Sequence, residues 1–183
     1  MLKTDLSKFD NAWYDTGASA FKRIAWYLVN AIFLNSTFPI NRIKVTLLKA
    51  FGAKIGKRVI IKPCVNIKYP WKLTIGNNVW IGEGVWIDNL ANVTIEDNVC
   101  ISQGAFLLCG NHDYKKASFN LIVKEIKLEE GVWIGAKAIV CPGVTCYSHS
   151  VLTVASVASK NLDMDGIYSG NPAMKIRQRK ISL

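Results

Sequence analysis

The stretch IGNNVWIGEGVWI, residues 75–87, repeats itself every six residues. Isoleucine opens each repeat, and valine follows four residues after it. The stretch IEDNVCISQGAFL, residues 95–107, keeps this spacing and ends on leucine. A helix has a period of 3.6 residues and a half-buried strand has a period of two, so neither element explains a strict period of six. A unit made of one short strand and one corner does explain it.

The same hexad extends over most of the chain. Its first position is apolar at Ile55, Ile61, Ile67, Ile75, Ile81, Ile87, Ile95, Ile101, Leu107, Leu128, Ile134, Val140, Cys146 and Leu152. Its fifth position is mostly small or β-branched, with Trp71 as the exception. Its fourth position favours residues that tolerate the positive φ of a corner, namely Asn78, Gly84, Asn98, Gly104, Gly131 and Gly143. Stacked units of this kind bury a continuous apolar column, which predicts a parallel β-helix.

The interruptions of the hexads indicate how the coils are built. Extra residues occur after Ile67, after Ile87 and after Leu107, so each insertion follows a third hexad. We therefore expect three hexads per coil, about five coils, and all insertions on one edge of the prism. The predicted organisation of this mainly β protein is an N-terminal helical cap at 1–54, the β-helix at 55–162 with an extended loop near 111–126, and a C-terminal tail with a short helix at 163–183.

The N-terminal segment has the pattern of two helices. Phe21, Ile24, Leu28 and Ile32 form an apolar stripe, and other apolar residues surround it. The favoured interpretation is a helical lid over the first coil. The alternative is peripheral membrane contact through residues 18–51, because apolar aromatic surface is flanked there by basic side chains, Lys22, Arg23, Arg42, Lys44 and Lys49.

Composition limits the classes of function. The chain has 183 residues, 23 of them basic and 13 acidic, which gives a formal net charge of +10 and favours anionic partners. The sequence has no pattern of a nucleic-acid reader, so we expect no nucleic acid. The five cysteines include no C-x-x-C pair and suit a reducing cytoplasm. We read no signal peptide, and the most apolar run, 24–34, is too short to span a bilayer.

Several motifs resemble the hexapeptide-repeat acyltransferases, most closely exopolysaccharide O-acetyltransferases of the colanic-acid type. The resemblance covers roughly residues 50–180. It depends on FGAKIGKRVIIKP, YPWKLTIG, GNHDY, VCPGVT and GNPAMKIR. It implies a left-handed β-helix, a homotrimer and acetyl coenzyme A as the acyl donor. It also implies acetyl transfer to a sugar hydroxyl of a surface polysaccharide or its lipid-linked precursor, in the cytoplasm or peripherally on the inner membrane face.

The motif GNHDY stands where the hexads break off. In the family, the histidine at this break is the general base, and His112 matches it. An imidazole that titrates near neutral pH suits the removal of a proton from a sugar hydroxyl. Asp113 either orients that imidazole or is a solvated carboxylate of the loop. His149, the only other histidine, falls on a corner position and is expected to be structural.

The resemblance also assigns a coenzyme site by motif. Trp133 is expected to flank the pantetheine arm, and the amide of Ala136 to reach the thioester oxygen, where a preorganised donor stabilises negative charge. Ser159, Lys160 and Arg177 match the end that meets the nucleotide and its phosphates. Two stretches depart from the family: Gly82-Glu83-Gly84 lacks the asparagine that holds simple galactosides, and LTVAS at 152–156 replaces a glycine-containing unit.

Other functions remain open at this stage. A non-catalytic β-helix that binds or scaffolds has no need for a loop opening with His-Asp. An N-acyltransferase acting on an amino sugar would use the same donor. A zinc enzyme on this fold needs three histidines, and the chain has two. We therefore expect no metal.

Overall fold

The structure is a computed structural model that describes residues 3–182. Met1, Leu2 and Leu183, which belong to the predicted terminal segments, lie outside the described residues. Three sheets, parallel except for the last strand of one of them, form the faces of a prism. Sheet A consists of β1 (Lys54–Ile55), β4 (Leu73–Ile75), β7 (Val93–Ile95), β12 (Ile126–Leu128) and β15 (Thr145–Cys146). Sheet B has β2 (Ile60–Ile61), β5 (Trp80–Ile81), β8 (Cys100–Ile101), β13 (Trp133–Ile134), β16 (Val151–Leu152), β18 (Gly166–Gly170) and β19 (Ala173–Gln178).

The third face and a hairpin complete the β structure. The hairpin is formed by β10 (Gly110–His112) and β11 (Leu121–Val123), which pair with each other in antiparallel orientation. Sheet C has β3 (Asn66–Ile67), β6 (Trp86–Asp88), β9 (Phe106–Leu108), β14 (Ile139–Val140) and β17 (Val157–Ala158). The predicted parallel β-helix of three hexads per coil is confirmed.

The repeat positions occupy the places that the hexad predicts. Ile75 pairs in register with Ile95, and Ile81 with Ile101, so each first-position residue lies over its equivalent one coil away. All are buried, and each burial contributes about 2 kcal/mol. The predicted corner residues all have positive φ: Asn78 (56°), Gly84 (69°), Asn98 (59°), Gly104 (65°), Gly131 (69°) and Gly143 (83°).

Five complete coils are followed by the start of a sixth. Leu162 forms a parallel bridge with Cys146, and β18 adds to sheet B beyond β16. The insertions all leave the prism between sheet C and sheet A, as expected, and the hairpin is the longest of them. This edge, which we call the C/A edge, therefore carries the non-repeating structure.

Two helices cover the first coil. Helix α1 (Ala20–Val29) is N-capped by Ser19 and continues as a π-helical segment (Asn30–Leu34); helix α2 (Asn41–Ala50) follows. Their inner faces satisfy backbone groups that lack a preceding coil. Trp26 donates to the carbonyl of Ile67 at 2.8 Å. The buried ammonium of Lys44 donates to the carbonyl of Lys62 at 2.9 Å, and its pKa is lowered by desolvation.

The expected C-terminal helix is wrong. Residues 173–178 form β19, which pairs antiparallel with β18 from Gly166 to Gly170. The physical reason is that β18 extends sheet B and leaves a strand edge, and a returning strand satisfies the backbone groups of that edge. The side chains of β19 are mostly exposed, and the strand is held through its backbone pairing with β18.

Candidate active site

The hairpin at residues 110–123 begins where the third coil ends. Cys109 is buried at the end of that coil, and Gly110 then turns the chain away from the prism. A Cβ atom at Gly110 would lie 2.5 Å from Cδ1 of Leu90, so a larger residue cannot follow this path without displacing its neighbour. The first strand of the hairpin carries His112 directly opposite Leu121.

The imidazole of His112 is held in one orientation. Its Nδ1 lies 2.9 Å from the carbonyl oxygen of Phe119. The ring of Phe119 stacks on the imidazole with 4.5 Å between ring centroids, and the ring of Phe9 lies beside it with 5.7 Å between centroids. A carbonyl oxygen only accepts hydrogen bonds, so Nδ1 carries the proton in the neutral ring. The lone pair is then on Nε2, which is the arrangement that a general base requires.

The polar contacts of the Asp113 carboxylate are with neighbouring residues of the loop. One of its carboxylate oxygens accepts from the backbone N–H of Lys115 at 3.2 Å, and the other lies 3.8 Å from the ammonium of Lys116. Among the described residues, the polar contact of the His112 ring is the Phe119 carbonyl. The Phe119 carbonyl is the group that contacts the ring in the structure, and an orienting role for Asp113 stays a prediction.

A cavity of about 560 Å³ lies beside His112. Its walls come from the N-terminal segment, from the first two coils at the C/A edge and from the base of the hairpin. Lys68 and Asp88 form an ion pair in it, with 2.9 Å between Nζ and Oδ1. The polar side chains that line the cavity with His112 are Asn11, Tyr14, Thr16, Arg23, Lys68, Tyr69, Asp88 and Asn111.

The groups around this cavity differ in what chemistry they allow. The hydroxyl of Tyr14 donates to the carbonyl of Leu90 at 2.7 Å, and burial raises the pKa of Tyr14 above its ordinary value. Burial also raises the pKa of the Cys109 thiol to about 12. A thiol with that pKa is not a nucleophile at neutral pH. Neither the Tyr14 hydroxyl nor the Cys109 thiol therefore ionises near neutral pH.

Trp133 and Ala136 lie at a different edge of the prism. Trp133 is 46% exposed on the outer face of sheet B, where its indole donates to Ser102 at 2.9 Å. Ala136 forms the corner between β13 of sheet B and β14 of sheet C. Its N–H makes no hydrogen bond with any residue among 3–182, and Lys137 after it has φ of 55°. The amide of Ala136 is thus available to an external acceptor.

The remaining predicted coenzyme residues are divided between two places. Ser159 and Lys160 follow β17, so they lie exposed on the C/A edge two coils beyond the hairpin, roughly 10 Å along the prism. Arg177 lies in β19 at the end of sheet B and is also exposed. Within one chain, His112 shares an edge with Ser159 and Lys160, whereas sheet C separates it from Ala136.

Comparison with known proteins identifies the class of protein to which this chain is similar. No family model matches the chain. It is 39% identical over 176 residues to the colanic acid biosynthesis acetyltransferase WcaF of Escherichia coli, covering 96% of this chain and 97% of that protein. It is 27% identical over 136 residues to the galactoside O-acetyltransferase of Escherichia coli, covering 73% and 67%.

Solved structures show the same fold. A hexapeptide-repeat acetyltransferase from Vibrio cholerae, in complex with acetyl coenzyme A, has a TM-score of 0.80 at 24% identity, over 90% of this chain and 92% of that one. A galactoside acetyltransferase in complex with coenzyme A has a TM-score of 0.77 at 25% identity, over 86% and 80%. The left-handed β-helix that the resemblance implied is confirmed. The chain belongs to the hexapeptide-repeat acetyltransferase family.

Sequence reasoning missed the groups that surround His112. The positions of Phe9 and Tyr14 depend on how the N-terminal segment crosses the C/A edge, which no spacing reveals. The ion pair had a faint signal, because Lys68 and Asp88 each follow the first position of a third hexad, at equivalent places in consecutive coils. Phe119 has a φ of 50°, which is rare outside glycine and asparagine and is not predictable from its residue type.

Proposed function

We propose that the protein transfers an acetyl group from acetyl coenzyme A to a sugar hydroxyl of an exopolysaccharide or its precursor, with His112 as general base. The observation that carries the proposal is the His112 ring, whose Nδ1 is engaged by Phe119 and whose Nε2 is left to accept a proton beside a polar cavity. Family membership and the colanic-acid relative support the reaction class. The free cysteines support a cytoplasmic location.

The transfer is direct in this proposal. Nε2 of His112 removes the proton of the acceptor hydroxyl as its oxygen attacks the thioester carbonyl. The carbonyl oxygen gains negative charge in the tetrahedral intermediate, and the amide of Ala136 donates a hydrogen bond to it. Collapse breaks the carbon–sulfur bond, and the imidazolium returns the proton to the leaving sulfur. The products are the acetyl ester and free coenzyme A.

The cavity beside His112 is the proposed acceptor site. A carboxylate accepts hydrogen bonds from sugar hydroxyls, and an ammonium donates them to hydroxyl or ring oxygens. Asp88 and Lys68 are positioned as such a pair, and Asn111 adds an amide from the hairpin itself. These residues stand in for the asparagine of the galactoside enzymes, which the Gly82-Glu83-Gly84 stretch lacks.

The complete site is proposed to form between subunits of a homotrimer. In one chain, His112 and Ala136 lie on opposite sides of sheet C, so a single chain does not present both to one thioester. A neighbouring chain related by cyclic symmetry would bring its corner at Ala136 and its Trp133 to the hairpin. Coenzyme A would then lie in the cleft between them, with Lys160 and Arg177 toward its phosphates.

An acceptor screen tests the function. Purified protein is mixed with acetyl coenzyme A and with sugars, oligosaccharides or lipid-linked oligosaccharides, and release of free thiol is followed. We expect release only with a hydroxylated acceptor, and mass spectrometry to find an acetyl ester on the sugar. Acetylation confined to amino sugars would replace the proposal by N-acyl transfer, and thiol release with no acceptor dependence would contradict it.

Mixed trimers test the shared site. His112→Ala chains and Ala136→Pro chains are each expected to be inactive. Co-expressed and purified as mixed trimers, they should recover activity, because some clefts then combine an intact His112 with an intact Ala136 from the neighbour. Recovery is impossible if both groups come from one chain, and sedimentation equilibrium showing an active monomer would also contradict the trimer.

A further inference from the structure

The charge of the protein is concentrated at one end of the prism. Between Thr16 and Gly82 the chain has eleven lysine and arginine residues and not one aspartate or glutamate, whereas the remaining residues contain twelve basic and thirteen acidic ones. Each coil stacks on the one before it, so order along the chain is also order along the prism axis. The excess positive charge therefore collects at the end covered by α1 and α2.

Most of these basic side chains face solvent. Lys44 is the buried exception, and Lys68 is paired with Asp88. The exposed ones are Arg23, Arg42, Lys49, Lys54, Lys57, Arg58, Lys62 and Lys68. The side chains of Arg42, Lys49 and Lys54 make no hydrogen bond or ion pair with any residue that the structure describes, so their charges are not neutralised within it.

The same end exposes a continuous apolar helix face. The inner face of α1 and its π-helical continuation is formed by Trp26, Asn30 and Leu34, which are buried. The apolar residues of the outer face form what we call the cap stripe: Phe21 (83% exposed), Ile24 (62%), Tyr27 (72%), Leu28 (55%) and Ile32 (59%). Contiguous exposed apolar patches on soluble proteins usually mark a site of interaction.

We propose that the cap stripe and the basic side chains around it form a docking surface for an anionic lipid bilayer. An amphipathic helix that lies in the membrane interface buries its apolar residues between the lipid headgroups, and basic residues beside it bind the negative surface. A tyrosine such as Tyr27 suits the boundary between apolar and wet layers. None of the described helices is long and apolar enough to cross a membrane, so the contact proposed is one along the surface.

The positive charge around the cap stripe favours an anionic bilayer over a second copy of the chain, and the apolar stripe itself favours a bilayer over a nucleic acid. A second copy of the chain, docked stripe to stripe, would place one cationic end against another without any acidic side chain from residues 16–82 to compensate. A nucleic acid would use the charges but leave the cap stripe in water. An anionic bilayer satisfies both the apolar stripe and the basic rim.

Vesicle sedimentation tests the proposal with the full-length protein. We expect binding to vesicles of phosphatidylcholine mixed with phosphatidylglycerol and little binding to phosphatidylcholine alone. The variant Arg42→Gln/Lys49→Gln should lose affinity by about fivefold per charge, or about 25-fold. The variant Phe21→Ser/Leu28→Ser should lose about 100-fold, because two exposed apolar side chains no longer enter the membrane.

Matched variants keep these results interpretable. Lys124→Gln/Lys137→Gln removes the same number of exposed charges from later coils, and Met164→Ser/Ile181→Ser removes two exposed apolar side chains from the other end of the chain. Both should bind like the parent protein. Transfer to a soluble acceptor should also be unchanged in Arg42→Gln/Lys49→Gln, which separates docking from the proposed function.

Three results would overturn the proposal. The parent protein could stay in the supernatant with anionic vesicles. Binding could survive in Phe21→Ser/Leu28→Ser, which would make the surface a site for polyanions in general. Finally, Phe21→Ser/Leu28→Ser could keep its vesicle binding and show a lower molar mass than the parent protein in analytical ultracentrifugation. That result would assign the cap stripe to contact between copies of the chain.

Discussion

In the coils, Ile81 lies directly over Ile101 and repeats the contact that the neighbouring coils make, whereas in the hairpin His112 meets Phe9 and Phe119 through contacts made nowhere else in the described chain. The coil contacts are equivalent from one turn to the next. The Phe9 contact joins the hairpin to a distant N-terminal segment, whereas the Phe119 contact lies within the hairpin itself.

This difference separates the contacts that sustain the fold from those of the site proposed to perform the chemistry. When a substitution removes one contact in a coil, the equivalent contacts of the neighbouring coils remain. Most substitutions there should therefore lower stability without unfolding the coil. The hairpin has one imidazole, one carbonyl that orients it and one cavity beside it. Changes there should alter turnover while the coils remain folded.

The largest effect is expected at His112. His112→Ala should lower turnover by about 10²–10⁴-fold, because the acceptor hydroxyl would lose its proposed general base, with little change in thermal stability. Steady-state kinetics and a melting curve measure the two. The matched control is His149→Asn, since His149 lies on a corner with φ of 59°, which asparagine tolerates. If His149→Asn loses as much turnover as His112→Ala, the distinction between hairpin and coil is wrong.

The next prediction asks whether one coil corner also takes part in the chemistry. Ala136→Pro removes the N–H proposed to stabilise the thioester oxygen, and turnover should fall by about 10²–10³-fold. The fold should tolerate it, because Pro63 and Pro142 already occupy the equivalent corner position, each before a residue of positive φ.

Glu83→Pro is the control for that variant. Glu83 holds the same corner position two coils earlier, before Gly84, and its N–H likewise makes no hydrogen bond among residues 3–182. We expect normal turnover from Glu83→Pro. Equal losses from the two proline variants would show that proline at a corner damages the protein for structural reasons.

A third prediction concerns Asp88, a coil residue that lines the cavity beside His112. Asp88→Asn should lower kcat/KM for the acceptor by about 10- to 100-fold, because the carboxylate proposed to accept from the sugar is lost, and leave the KM for acetyl coenzyme A unchanged. Asp97→Asn is the control: its pKa is lowered by hydrogen bonds from the backbone and side chain of Asn77, at a different corner. That variant should change stability and not acceptor kinetics.

The sequence predicts the coils well because their contacts repeat at a fixed spacing from one coil to the next. Apolar first positions, Asn and Gly corners and the insertion edge follow from one stacking rule, and His112 stands out because it interrupts that rule. The corners at Arg58, Cys64, Lys137 and Ala155 also have positive φ, and their residue types do not predict it. There the stacked neighbours impose the conformation and compensate its cost.

Sequence patterns did not predict the pairing of β18 with β19 or the outward orientation of the cap stripe. Whether residues 173–178 form a helix or a strand depends on the free edge of β18, which exists only once sheet B is assembled. Phe21 and Trp26 are both apolar, yet one is exposed and the other buried. Trp26, unlike Phe21, has an N–H that donates to the carbonyl of Ile67.

A smaller effect is expected from the basic residues assigned to the coenzyme. Lys160→Gln and Arg177→Gln should each raise the KM for acetyl coenzyme A by about five- to tenfold, with turnover nearly unchanged. The reason is that a phosphate contact far from the reacting carbon stabilises ground state and transition state alike. Arg42→Gln, at the basic end, should change neither constant. Loss of turnover comparable to that of His112→Ala would mean that the catalytic centre lies elsewhere.

The smallest effect distinguishes corner geometry from corner hydrogen bonds. Asn98 has φ of 59°, accepts from Asn78 at 3.1 Å and donates to Glu130 at 3.1 Å, so it joins three successive coils. Asn98→Gly removes both hydrogen bonds but keeps a residue that accepts positive φ, whereas Asn98→Ala also adds the cost of the left-handed conformation. Melting temperatures should therefore fall in the order parent, Gly variant, Ala variant. The free energies of unfolding of the two variants should differ by about 1 kcal/mol. Turnover should stay normal in both variants, because Asn98 lies outside the hairpin. Equal melting temperatures for the two variants would mean that stacking across the coils, and not backbone preference, holds the corner.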